Sequence, residues 1–268
     1  MIDKNELKLS DEINHHFVRG LVNGYERYLQ VRVAAAEDMV ISNGYAYTRG
    51  NHLEDMIAKE ESANVQFEHA KAGSWSYLKF KVHNSENNHM IIVRRAERIN
   101  ETLAELQSKT LENREKNWLY GLSKINNRLE LDKIVNNSKV QQLKLYADNA
   151  IDERAIIRSE NLSLNLEEEF DGFYILTYEI DSNTQELSDA DLMMMDSKTL
   201  GLVQVESLRG MMLEYQASIS IELFRKAQKA ISPLEIAAEA VEYGVAVAGD
   251  TEDYASEATQ KEDVNQEE

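Results

Sequence analysis

The stretch VQFEHAKAGSWSYLKFKVHNSENNHMIIVRR, residues 65–95, decides how this chain folds. Val65, Phe67 and His69 alternate with Gln66, Glu68 and Ala70, and Leu78, Phe80 and Val82 alternate with Tyr77, Lys79 and Lys81. A period of two is the spacing of a strand with one buried and one solvated face. Gly73-Ser74 and the polar run 84–88 interrupt the pattern as turns, and Met90-Ile91-Ile92-Val93 reads as a third strand. Three strands joined by short polar turns predict an antiparallel meander over about 64–95 with one buried face.

Before the meander, Ser10 suits the N-cap of a helix whose apolar residues Ile13, Phe17, Leu21, Tyr25 and Leu29 recur every fourth position. That helix is predicted to run into Val33–Val40, and a second, amphipathic helix to follow over about 52–61. After the meander, residues 96–160 read as mostly helical. Stripes run through Ile99, Leu103 and Leu106 and through Trp118, Leu119, Leu122 and Ile125, while Leu143, Leu145 and Ile151 fit no clear pattern. Leu162, Leu164 and Leu166 alternate as a short strand would, with a helical reading competing. Phe173–Ile180 is a strand with Tyr174, Leu176, Tyr178 and Ile180 on one face. It is expected to pair with Leu192–Met195 across a turn near Ser182-Asn183, and Leu202–Val205 is a further strand candidate. One long helix is expected over Leu208–Ala227. Ser232-Pro233-Leu234-Glu235 then carries an N-cap serine, a proline at the first helical position and a capping-box glutamate.

The expected fold is α+β: a mainly antiparallel sheet (meander about 64–95, hairpin about 172–195) packed with long helices. Residues 1–231 would form a single domain, 232–249 a short capped helix, and 250–268 a disordered acidic tail.

Charge is distributed unevenly. From Asp148 to Asp191 there are 13 Asp or Glu and 2 Arg, a net of −11; from Leu234 to Glu268 there are 11 acids and one Lys, a net of −10. The other residues carry 24 acids and 26 bases, so the chain's net of −19 sits in two blocks. Concentrated acid marks local surfaces that favour basic partners. It argues against broad nucleic-acid binding, which needs clustered cations. The chain has no cysteine, so disulfides and thiolate chemistry are excluded, and a cytoplasmic address is expected. The opening MIDKNELKLSDE lacks the apolar core of a signal peptide, and no run approaches the length of a membrane span.

GSWSYLKFKV (73–82) leading to HMIIVRR (89–95), WLYGLSKINNRLE (118–130) and FYILTYEIDSNTQELSDADLMMM (173–195) resemble an uncharacterised protein family of low-GC Gram-positive bacteria and their phages. The resemblance implies that residues 10–230 form one unit in a phage or mobile-element setting. It supplies no functional residue.

Candidate chemistry lies in three places. His83 and His89 flank one hairpin turn, so their imidazoles could face each other with Glu86 above them and hold a metal; the plainer reading is solvated turn residues, and no metal or cofactor is expected. Lys79, Lys81, Arg94 and Arg95, with Trp75 and Tyr77 nearby, form a small basic sheet face of the kind that holds single-stranded nucleic acid. The plainer reading is cross-strand pairing with Glu68 and Glu97. Glu167, Glu168, Glu169, Asp171, Glu179 and Asp181 flank the Phe173–Ile180 strand. They are the candidate contacts for a protein partner with a basic surface, or, in a competing reading, the carboxylates of a metal-dependent nuclease or hydrolase. No Gly-x-Ser-x-Gly elbow, phosphate loop or His-Glu-x-x-His helix occurs. The sequence therefore favours a non-enzymatic interaction protein that binds a host protein through an acidic surface.

Overall fold

A computed structural model describes residues 4–72, 75–135 and 166–231, without the side chains of Trp75, Asp132, Val135, Glu167 and Glu168. The Gly73-Ser74 turn, the patterns at Leu143, Leu145, Ile151, Leu162 and Leu164, the capped helix and the acidic tail lie outside the described residues.

The chain is α+β. Its strands are β1 (Val65–Ala72), β2 (Trp75–Asn84), β3 (Asn87–Arg95), β4 (Gly172–Ile180), β5 (Leu187–Met195) and β6 (Leu202–Ser207), and they form a six-stranded sheet in that order. Neighbours are antiparallel except at the centre, where β3 and β4 run parallel from His89 opposite Gly172 to Arg95 opposite Tyr178. Two meanders are thus joined side by side. A parallel pair needs a crossover, which leaves β3 through α3 (Ala96–Ser108), α4 (Leu111–Glu115), α5 (Trp118–Ser123), a 3₁₀ turn (Lys124–Leu129) and α6 (Leu131–Val135), and reaches β4 through α7 (Leu166–Glu169).

Both faces of the sheet are covered at its centre. On one face α1 (Asp11–Asp38), α2 (Arg49–Lys59), α8 (Arg209–Gln216) and α9 (Ile221–Ala230) pack over Phe80, Ile91, Tyr174, Leu176, Leu192 and Val205. On the other, Ile99, Leu103, Leu106, Leu119, Leu122 and Ile125 pack over Met90, Ile92, Phe173, Ile175 and Met195. The expectation of one buried face therefore fails at the centre of the sheet. The unbroken apolar runs Met90–Val93 and Phe173–Leu176 are buried on both sides, as parallel central strands are.

Helix α1 begins at its serine cap, where Ser10 Oγ accepts from Ile13 N. It lies against α2 so closely that a Cβ on Gly20 would sit 2.5 Å from Ile57 Cα, and one on Gly24 2.6 Å from Leu53 Cα. Helix α2 begins slightly before the expected range. The long helix over Leu208–Ala227 is two helices, broken at Ala217–Ser220. Ser218 Oγ donates to Tyr215 O, and Ser220 Oγ accepts from Glu222 N, so the serines draw hydrogen bonds out of the helical ladder and restart it. The freed end is tied down by Gln216, whose Oε1 accepts from Leu187 N at 2.8 Å and whose Nε2 donates to Leu187 O at 3.1 Å.

Candidate functional site

The basic face is assembled where β2 and β3 part. Their pairing ends at Phe80 opposite Ile91, although both strands continue. The next rung would join Leu78 to Val93. Instead Leu78 N donates to Glu54 Oε2 at 2.8 Å, Arg94 Nη1 donates to Glu54 Oε1 at 2.9 Å, and Arg94 Nη1 also donates to Val93 O. Glu54 is buried, and burial raises its carboxyl pKa despite the opposing Arg94. The Arg94 guanidinium lies over the rings of Tyr77 and Trp118, 5.0 and 5.5 Å from their centroids. Burial pushes the Tyr77 hydroxyl up to about 12, so it stays protonated.

The other three cations are engaged as well. Lys81 reaches Glu68 at 2.9 Å and Glu169 at 2.5 Å, and these bonds raise its pKa. Lys79 lies 3.8 Å from Glu68, and Arg95 lies 3.2 Å from Glu97. The structure therefore brings Lys79 and Lys81 together and gives each of the four residues a carboxylate, which leaves little free positive charge for phosphate.

The acidic candidates fall into two groups at opposite ends of β4, with Asp171 and Glu179 roughly 26 Å apart at strand rise. Glu169 is taken by Lys81. Asp171 Oδ2 accepts from Asn88 N at 2.8 Å and extends the β3–β4 seam. Asp181 closes the β4–β5 turn by accepting from Asn183 N at 2.8 Å and Thr184 N at 2.9 Å, bonds that lower its pKa. The side chains of Glu167 and Glu168 lie outside the described residues. A pair of carboxylates sharing one ion needs them within a few ångströms of each other; these two groups do not converge.

Glu179 differs from the rest. It stands directly opposite Asp189 across β4–β5, and Asp191 is the next residue on the same face, opposite Thr177. Asp191 Oδ1 accepts from Gln204 Nε2 at 2.7 Å. Burial, then Asp189 and Asp191, raise the Glu179 pKa against the pull of Arg95; burial and Asp189 likewise raise that of Asp191. Asp189 and Asp191 were not singled out from the sequence. Their spacing of two within strand β5 was the available signal, but placing them opposite Glu179 requires the hairpin register.

The proposed facing of His83 and His89 is corrected. His83 pairs with Asn88, and His89 with Val82, so the two imidazoles point to opposite faces of the sheet. His83 is exposed and its Nδ1 lies 2.5 Å from Asn88 Oδ1; His89 is buried edge-on to Tyr174. Among the described residues no three His, Asp or Glu side chains are placed to hold a metal ion. No helix among them is long and apolar enough to cross a membrane. Comparison of the chain with family models, curated proteins and solved structures returned no match.

Proposed function

We propose that this chain is a non-enzymatic interaction protein whose acidic face, centred on Glu179, Asp189 and Asp191, receives a basic surface of a protein partner. The observation that carries the reading is the Glu179–Asp189 pair. Like charges directly opposite across two strands cost stability, and here they are joined by a third carboxylate on the same face, with Arg95 as the opposing cation. An arginine or lysine from a partner relieves that repulsion on docking and steers the encounter. Glu169, Asp171 and Asp181 are spent on Lys81 and on backbone amides, so they contribute to the field but not to the contact.

The test is affinity capture from host lysate with wild type, with E179Q/D189N/D191N and with an E169Q/D171N control. A basic protein held by wild type and by the control, released by salt and absent with the triple variant, supports the reading. Equal capture by all three proteins, or capture of nothing specific, overturns it.

A further inference from the structure

We propose that the outer edge of β1 takes up an extended strand of another protein that carries an apolar residue and, four residues away on the same face, a carboxylate. This surface is distinct from the acidic face of β4–β5. The bond from His83 N to Asn64 O at 2.8 Å fixes which β1 residues turn their backbone inward. With Asn64 and His83 as a hydrogen-bonded pair, Gln66, Glu68 and Ala70 bond to β2, and Val65, Phe67, His69 and Lys71 direct N–H and C=O away from it. β1 is an edge of the sheet, and those outward groups meet no hydrogen-bond partner among the described residues. Gln66 to His69 are exposed on both faces, and Phe67 is 46% exposed beside the His69 ring. An unpaired row of this length is a template for strand addition.

Charge selects the occupant. The β1–β2 hairpin carries Glu68 against Lys71, Lys79 and Lys81, a net of +2 on a chain of −19. Glu68 is held by Lys79 and Lys81, while Lys71 has no ion pair among the described residues. A second copy paired antiparallel through its own β1 cannot supply the missing carboxylate. In an antiparallel pair, directly opposed residues either both face the new strand or both face away; Lys71 faces outward and Glu68 inward, so no register brings Glu68 opposite Lys71. The incoming strand therefore needs an apolar residue opposite Phe67 and a carboxylate opposite Lys71.

Amide exchange of the full chain, followed by nuclear magnetic resonance, tests this with two Thr-rich peptides, one carrying Val and Asp four residues apart and one with Lys in place of that Asp. The acidic peptide is expected to slow exchange at Phe67, His69 and Lys71 by about tenfold or more, and the basic peptide to have no effect. Phe67→Pro removes an outward N–H while sparing the bonds to β2 and should abolish the protection. Lys71→Glu, which leaves the backbone untouched, should transfer the preference to the basic peptide. Equal protection by both peptides, protection unchanged in Lys71→Glu, or protection without peptide that grows with protein concentration, the mark of a second copy, would each overturn the proposal.

Discussion

Glu54 and Arg94 together replace a missing rung of the β-sheet: the carboxylate takes the Leu78 N–H, the guanidinium serves the Val93 carbonyl, and the two close on each other at 2.9 Å. An ion pair from a helix and a strand thus satisfies backbone groups that strand pairing leaves open. Removing either partner strands a buried charge. E54A should lose about 3–5 kcal/mol in urea unfolding, and E54L/R94L should be more stable than either single leucine variant. Additive losses in the double variant would show that the pair is not a unit.

Asn126 does comparable work at the start of β4. Its Nδ2 donates to Phe173 O at 2.9 Å and Met195 O at 3.1 Å, and its Oδ1 accepts from Phe173 N at 2.7 Å. Asn126→Ala leaves three buried backbone groups without partners, at a cost of about 3 kcal/mol or more. Asn126→Asp should be worse, because it sets an anion against two carbonyl oxygens. Thermal melts of both variants check this.

His16 and His89 predict loss of stability in acid. Both are buried, and burial lowers each pKa from 6.5. Glu60 and Arg19 act on His16 in opposite directions, and Asp171 partly offsets the shift at His89. A folded pKa below the unfolded value means that the unfolded chain takes up the proton first. The contribution is complete well above pH 6.5 and is lost as pH falls from there through each histidine's lowered folded pKa. Denaturation series between pH 7.5 and 5.5, on wild type and on His89→Phe, should show a shallower decline in the variant.

Glu179 and Asp191 give the opposite sign, because their folded pKa values are raised. The folded state binds those protons more readily, so this contribution shrinks as pH climbs past the ordinary carboxylate range. E179Q/D189N should therefore be more stable than wild type at neutral pH by about 0.2–1 kcal/mol, with a flatter profile near pH 4–5. A variant that gains stability while losing partner capture would place the cost of the acidic face with its binding role; a loss of stability would show instead that the carboxylates serve the fold.

Much of this was legible in the residues. Period two located β1 and β2, and the β4–β5 hairpin followed from Phe173–Ile180 and the turn after it. The parallel seam was not legible, because a strand such as Met90–Val93, buried on both faces, reads the same whichever neighbour it takes. The break at Ala217–Ser220 was hidden because Ile219 and Leu223 keep helical spacing across it. Glu54 looked like the polar side of an amphipathic helix; only the divergence of β2 from β3 gives its carboxylate a backbone amide to hold. The facing of Glu179 and Asp189 likewise depends on a register set by the 181–186 turn.

The parallel β3–β4 seam also bears on how the chain reaches this state. Each meander is built from neighbours in sequence, so each can assemble quickly from local hairpins. Joining them closes a loop from Arg95 to Gly172, whose length-dependent entropy is about 4 kcal/mol. The seam is therefore the slow step, and until it forms, the apolar edges of β3 and β4 are open to other chains. Conservative substitutions along it, such as Ile92→Val, should mainly speed unfolding, while those within either hairpin should slow folding.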